Sequence, residues 1–369
     1  METVGWILLA FAAVRLAVST VNLVSRPYPG RNGRLKAYPS VSILIPARNE
    51  EHNIGNLLGD LRKEPYPKLE ILVYDDASSD GTARTVETAA SEDTRIHLIR
   101  GSGPPQGWLG KNHACHRLAE KASGEMFLFL DADVRLRPGF MEKTLASAES
   151  HGSRLLSVFP RQIMPGIGTR TVVPLMNRIL LSLLPLIAVR LSPLPSLAAA
   201  NGQFMLFDSA AYRATRPHEK FRNSPVEDMA IVKEYKRSGF PVTVLLGDAD
   251  ISCRMYGSAK EAVGGFSKNV FEFFGGSAVL AFAYASATAL APAYAFIWPG
   301  PAGGLACCIM AVSTNILVSV ASRQSVAWNL LLAVPQQATL LIIVCTALLR
   351  RHKKRLMWKG RNVLSEQQS

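Results

Sequence analysis

Four apolar runs near the ends of this 369-residue chain restrict its fold more than any other feature. Val4–Val24, Ser277–Trp298, Pro301–Ala321 and Trp328–Leu349 each approach the ~20 residues that cross a bilayer core as a helix. Lipid offers no water to an unpaired backbone amide, so a single run of this kind folds as a helix. The first run is broken only by Arg15, Asn22 and small hydroxyls, and Arg26, Arg31, Arg34 and Lys36 follow it. A cleaved leader carries its basic residues ahead of the apolar run, and here they come after it. Residues 1–25 therefore read as a retained anchor, with the following chain on the cytosolic face.

The last run precedes Arg350-Arg351-His352-Lys353-Lys354-Arg355, which assigns the tail, 350–369, to the cytosol as well. Three full crossings within 276–349 would place it on the other side. One of the three segments is therefore expected to be re-entrant or not to span fully, with Pro292 or Pro335-Gln336-Gln337 marking the break. The net charge of +13, from 41 basic and 28 acidic residues, gathers beside the apolar runs. That placement points to an anionic phospholipid surface rather than to nucleic acid. The five cysteines show neither metal-ligand spacing nor a disulfide framework.

Between the runs, residues 38–265 read as a soluble domain. Strands are expected at Val41–Pro46, Leu69–Tyr74, Arg95–Arg100 and Met126–Leu130, with helices between them. Alternation of this kind predicts an α/β fold with a doubly wound, mostly parallel sheet. Two expected strands end in paired carboxylates, Asp75-Asp76 and Asp131-Ala132-Asp133. Ligands of open α/β sheets bind beyond such strand ends, and Asp-x-Asp offers hard oxygens to Mg²⁺ or Mn²⁺. Alone, the same pattern also fits an ordinary surface turn. Lys111 stands at an expected helix start, suited to phosphate, and equally to an exposed helix lysine. His113 and His116 are read as structural. The apolar stretch 172–200 carries Asn177, Arg178, Arg190 and four prolines, so it is expected to lie on the membrane surface.

Ile45-Pro46-Ala47-Arg48-Asn49-Glu50, Asp75-Asp76-Ala77-Ser78-Ser79-Asp80 and Asp131-Ala132-Asp133 occur in order at successive strand ends. Together they resemble the signature of family 2 glycosyltransferases with the GT-A fold. The likeness continues through Asn201-Gly202-Gln203-Phe204, Glu227-Asp228 and Trp358-Lys359-Gly360-Arg361. Gly107-Trp108-Leu109-Gly110-Lys111 and Cys253-Arg254-Met255-Tyr256 resemble the membrane-bound branch acting on carotenoid acids. The resemblance implies a Rossmann-like GT-A domain, a UDP-sugar donor and a lipid acceptor in the cell membrane. It implies nucleotide-sugar contacts at Pro46, Arg48, Glu50, Asp76, Lys111, Asp131, Asn201, Gly202, Glu227, Arg254 and Arg361. Asp131 and Asp133 would hold Mg²⁺ or Mn²⁺, and Asp228 would be the catalytic base. Processive members carry Gln-x-x-Arg-Trp, which does not occur here, so transfer of a single sugar is expected. A membrane nucleotidyltransferase and a non-catalytic nucleotide-sugar scaffold remain the alternatives.

Overall fold

The computed structural model describes residues 2–30, 35–352, 357–358 and 361–362, excepting the side chains of 351, 352 and beyond. Two compact units emerge, and the chain passes between them several times. The α/β unit comprises Tyr28–Arg161, Ile187–Cys253 and Met357–Ser369, and the helical unit Met1–Pro27, Gln162–Leu186 and Arg254–Leu356.

Ten strands occur in chain order through Cys253. They are β1 (Val41–Ala47), β2 (Leu69–Asp76), β3 (Ile96–Gly101), β4 (Met126–Leu130), β5 (Val134–Leu136), β6 (Leu155–Phe159), β7 (Arg161–Gln162), β8 (Phe204–Asp208), β9 (Val242–Leu246) and β10 (Ile251–Cys253). The main sheet of the α/β unit runs β3-β2-β1-β4-β8-β6-β9. Only β8 runs against its neighbours, pairing antiparallel with β4 and β6. The expected fold class is the one observed. Ile43, Leu44 and Ile45 are fully buried, because helices cover both faces of a central parallel strand. Each such side chain contributes roughly 1.5–3 kcal/mol through burial.

Strand direction places the site. β1, β2 and β4 are mutually parallel, so Arg48–Glu50, Asp75–Ser79 and Asp131–Asp133 all emerge from one edge. Antiparallel β8 begins at that edge, with Phe204 paired to Leu130. The Asp131 amide accordingly donates to the Gln203 carbonyl at 3.1 Å. In a small second sheet β10 pairs antiparallel with β5, setting Cys253 opposite Val134.

The helical unit holds four helices long and apolar enough to cross a membrane, by length and composition. They are Glu2–Val24, Ala278–Ile297, Pro301–Ala321 and Ala333–Arg350. The expected Trp328–Leu349 span is not one helix, since Val326–Leu331 and Ala333–His352 form separately. Nor does Pro292 break its segment, for it lies inside the helix Ala278–Ile297. Gln336 and Gln337 are accommodated by internal partners. Gln336 donates to the Arg170 carbonyl at 2.9 Å, and Gln337 to the Ala285 carbonyl at 2.9 Å.

The stretch 172–200 is not one continuous helix. It divides into the helices Pro174–Leu183 and Leu186–Leu191, and the chain changes unit after Leu186. Val172, Leu175 and Ile179 pack in one core with Phe266, Ala285 and Ile343. That apolar packing draws 162–186 and 254–265 into the helical unit, where a continuous soluble domain was expected over 38–265.

Candidate functional site

The loops after β1 and β2 are stitched together before any ligand is considered. The Asn49 amide donates to Ser78 Oγ at 3.0 Å, Ser79 N–H to Asn49 Oδ1 at 2.9 Å, and Glu50 N–H to Thr82 Oγ1 at 2.8 Å. Arg48 donates to the Asp76 carbonyl and lies 3.8 Å from its carboxylate. Ala77 adopts φ +51°, a left-handed conformation costly for a residue with a Cβ. These contacts hold the buried Asp76 beside Pro46, Arg48 and Glu50 at the sheet edge.

Lys111 is the centre of the second half of the site. It opens the helix Gly110–Lys121, and its Nζ lies 2.8 Å from Asp131 Oδ1 and 3.6 Å from Glu227. Burial disfavours its ammonium, but Asp131 and Glu227 together hold its pKa well above the usual lysine value. The residue expected to meet phosphate is thus engaged by two carboxylates. Its neighbour Asn112 explains how Glu227 comes so near. The buried Asn112 amide donates to the carbonyls of Phe221 at 2.8 Å and Ser224 at 3.0 Å. Leu109 N–H adds a bond to the Arg222 carbonyl at 2.8 Å. Together they fix the loop that leads into the helix Glu227–Arg237.

Asp228 sits in the first turn of that helix. Its Oδ2 accepts from Gly202 N–H at 3.0 Å and its Oδ1 from Met229 N–H at 2.7 Å. A Cβ built on Gly202 would come 3.3 Å from Lys111 Nζ and 3.6 Å from Asp228, so a side chain there would crowd both. Asn201 is fixed by Ser157, whose Oγ accepts its N–H at 2.9 Å. Burial raises the pKa of Glu227 and of Asp228, against the opposing pull of Lys111.

Asp133 faces a different environment. The Cys253 thiol bonds its carboxylate, Gln203 Nε2 donates to that sulfur at 2.7 Å, and Asp133 Oδ1 is buried without a hydrogen-bond partner. Burial, with Asp131 close by, pushes the Asp133 carboxyl up to about 6. An orphaned carboxylate oxygen beside a second carboxylate fits a hard divalent cation. Among the described residues no group of three or more potential ligands gathers. Two protein carboxylates would therefore leave positions for substrate phosphate and water, as Mg²⁺ and Mn²⁺ commonly keep.

Gln203 and Cys253 were not expected in these roles, although both lie in stretches that carry the resemblance, Asn201-Gly202-Gln203-Phe204 and Cys253-Arg254-Met255-Tyr256. His113 and His116 pack against Trp108, with ring centroids at 5.6 and 5.0 Å, in keeping with a structural reading. Arg254 belongs to the helical unit and is exposed. The Arg361 side chain lies outside the described residues.

At this sheet edge Asp131, Asp133, Glu227 and Asp228 lie within electrostatic reach of one lysine, Lys111. Residues 42–213 match the family described as Glycosyl transferase family 2. It is similar to the 4,4'-diaponeurosporenoate glycosyltransferase of Staphylococcus haemolyticus, 27% identical over 63% of this chain and 61% of that protein. The Staphylococcus aureus (strain USA300) protein of the same name is 29% identical over 59% of this chain and 57% of that protein. The chain thus spans about three fifths of the length of the curated relatives it matches. Among solved structures, a mannosyltransferase from Pyrobaculum calidifontis in complex with GDP-Man and Mn²⁺ shares the fold. It has TM-score 0.51 at 16% identity, covering 94% of this chain and 99% of that one.

Proposed function

We propose that the protein is an inverting, metal-dependent glycosyltransferase that moves one sugar, glucose from UDP-glucose, to a lipid acceptor at the cytosolic membrane face. The observation that carries this reading is the convergence of Lys111, Asp131, Glu227 and Asp228 at the edge where β1, β2 and β4 end. The names of the relatives suggest a carotenoid acid as acceptor.

Pro46, Arg48, Glu50 and Asp76 would hold the nucleotide; a carboxylate can accept the N3–H of uracil. Asp131 and Asp133 would hold Mg²⁺ or Mn²⁺, which supplies charge neutralisation for a departing diphosphate. Lys111 contributes a further fixed positive charge, and Asn201, Gly202 and Glu227 line the sugar side. Arg254 and Arg361 would offset phosphate charge, for which a planar guanidinium is suited. Asp228 would take the proton of an acceptor hydroxyl as the new bond forms. Its two backbone donors fix the carboxylate plane without protonating it. An acceptor that is already a carboxylate would need orientation from Asp228 rather than proton removal.

Membranes containing the protein, incubated with labelled UDP-glucose, should yield label in the extracted lipid together with free UDP. Release of glucose 1-phosphate in place of UDP would instead indicate nucleotidyl transfer. No turnover with any sugar nucleotide would contradict both.

A further inference from the structure

The helical unit contains two arginines that the reading above does not use. Arg15 lies in the middle of the first apolar helix and is 8% exposed, and Arg178 lies on the helix Pro174–Leu183. Arg15 Nε donates to Ser182 Oγ at 3.3 Å, and its guanidinium stands 5.4 Å from the Tyr284 ring centroid and 5.6 Å from that of Phe11. Ser182 Oγ in turn lies 3.5 Å from the Tyr284 hydroxyl. Arg178 Nη2 is buried and has no hydrogen-bond partner, and Arg178 lies within electrostatic reach of Arg15.

Among the described residues no carboxylate forms an ion pair with either arginine. Neighbouring polar groups show that this part of the unit otherwise satisfies its needs. Asn22 donates to the Leu181 and Leu184 carbonyls, both at 2.9 Å, and accepts from Leu186 N–H at 2.7 Å. Ring faces compensate Arg15 in part. Two guanidiniums in an apolar setting still call for an anion, since buried charges are ordinarily paired.

We propose that Arg15 and Arg178, with the hydroxyls of Ser182 and Tyr284, seat the oxyanion of a membrane-borne lipid, a carboxylate or phosphate on an apolar tail. Guanidinium groups bind both oxyanions in forked geometry. Arg15 stands roughly 14 Å along its helix from Val24, at 1.5 Å per residue. A tail would find apolar surface on the helices that carry Arg15 and Tyr284, where Val14 is 59% exposed and Phe282 48% exposed. The proposal rests on reading the helical unit as embedded in a membrane. It does not depend on sugar transfer.

The test uses the full chain in neutral detergent, with thermal stability and native mass spectrometry as readouts. Oleate supplies the carboxylate, dioleoyl-phosphatidylglycerol the phosphate, and oleyl alcohol the uncharged control. The wild type should retain one anionic probe at a concentration about tenfold below the alcohol, the equivalent of one charge-assisted hydrogen bond. Whichever of oleate and phosphatidylglycerol binds more tightly identifies the source of the oxyanion. The preference should vanish in Arg15→Gln and Arg178→Gln and survive in part in Arg178→Lys. A variant with Arg351, Lys353 and Lys354 changed to Gln should keep it, because those residues lie in the basic tail. No anionic preference in the wild type overturns the proposal, as does loss of preference in the tail variant alone. The wild-type arms decide even if an arginine variant fails to fold.

Discussion

The two units treat buried charge in opposite ways. In the α/β unit, carboxylates gather at one sheet edge, and a single ammonium from Lys111 answers Asp131 and Glu227. In the helical unit, Arg15 has a hydroxyl and two rings for neighbours, Arg178 Nη2 has no partner, and among the described residues no carboxylate pairs with either. Unbalanced buried charge costs stability, and the two proposals give each unit a ligand of the missing sign. The first would take a cation, the second an anion. The neutral amides of Asn112 and Asn22, by contrast, each find several backbone partners.

The largest effect should come from removing the carboxylates that would hold the cation. Asp131→Ala or Asp133→Ala should lower the transfer rate by about 10³-fold or more, since metal stabilisation of a leaving diphosphate is worth several kcal/mol. Chelation with EDTA should do the same and be reversed by Mn²⁺ or Mg²⁺. Undiminished turnover in chelator would remove the metal from the mechanism and leave Lys111 as the only cation the cluster uses.

A smaller effect separates architecture from chemistry. Asn112→Ala leaves the carbonyls of Phe221 and Ser224 without their donor, at a cost of about 1–3 kcal/mol. Melting temperature should fall, and the transfer rate should fall with it as the Glu227–Asp228 loop loosens beside Lys111. A lowered melting point with an unchanged rate would show that the loop keeps its place without Asn112.

The topology test is qualitative. Its site, Ser365, lies outside the described residues. With Cys345 replaced by Ser, a Ser365→Cys probe should resist an impermeant thiol reagent in intact cells and react in broken ones. Labelling from outside would mean that all four long helices cross. Arg361 would then be separated from the nucleotide site.

Much of the α/β unit was legible because its signals are contiguous. Apolar runs such as Val41–Ile45 end directly in the polar residues that form the site, and each motif needs only its own few residues. The links between motifs were not legible. Nothing local to Asn112 reveals an amide bonded 109 residues further on, at Phe221, and nothing near Cys253 reveals a thiol bonded to Asp133. The break in the last apolar segment falls at Leu332, a good helix former, so the prolines and glutamines nearby drew the prediction instead. The clash between crossing number and basic flanks was visible from the outset. Four long helices sharpen it, because length and composition permit every one of them to span.

Asp228→Asn tests the central claim most directly. The substitution keeps the shape of the side chain and removes the base. It should cut the transfer rate to a hydroxyl acceptor by a factor on the order of 10² or more, while UDP affinity, measured by calorimetry, stays close to that of the wild type. Burial raises the Asp228 pKa, and a base works only when deprotonated. Wild-type activity should therefore fall on acidification at a pH above the ordinary aspartate range, and that limb should be missing from the variant. A small rate loss would point to a carboxylic-acid acceptor that arrives ionised. Loss of UDP binding in Asp228→Asn would contradict the assignment, since Asp228 would then be holding the donor rather than activating the acceptor.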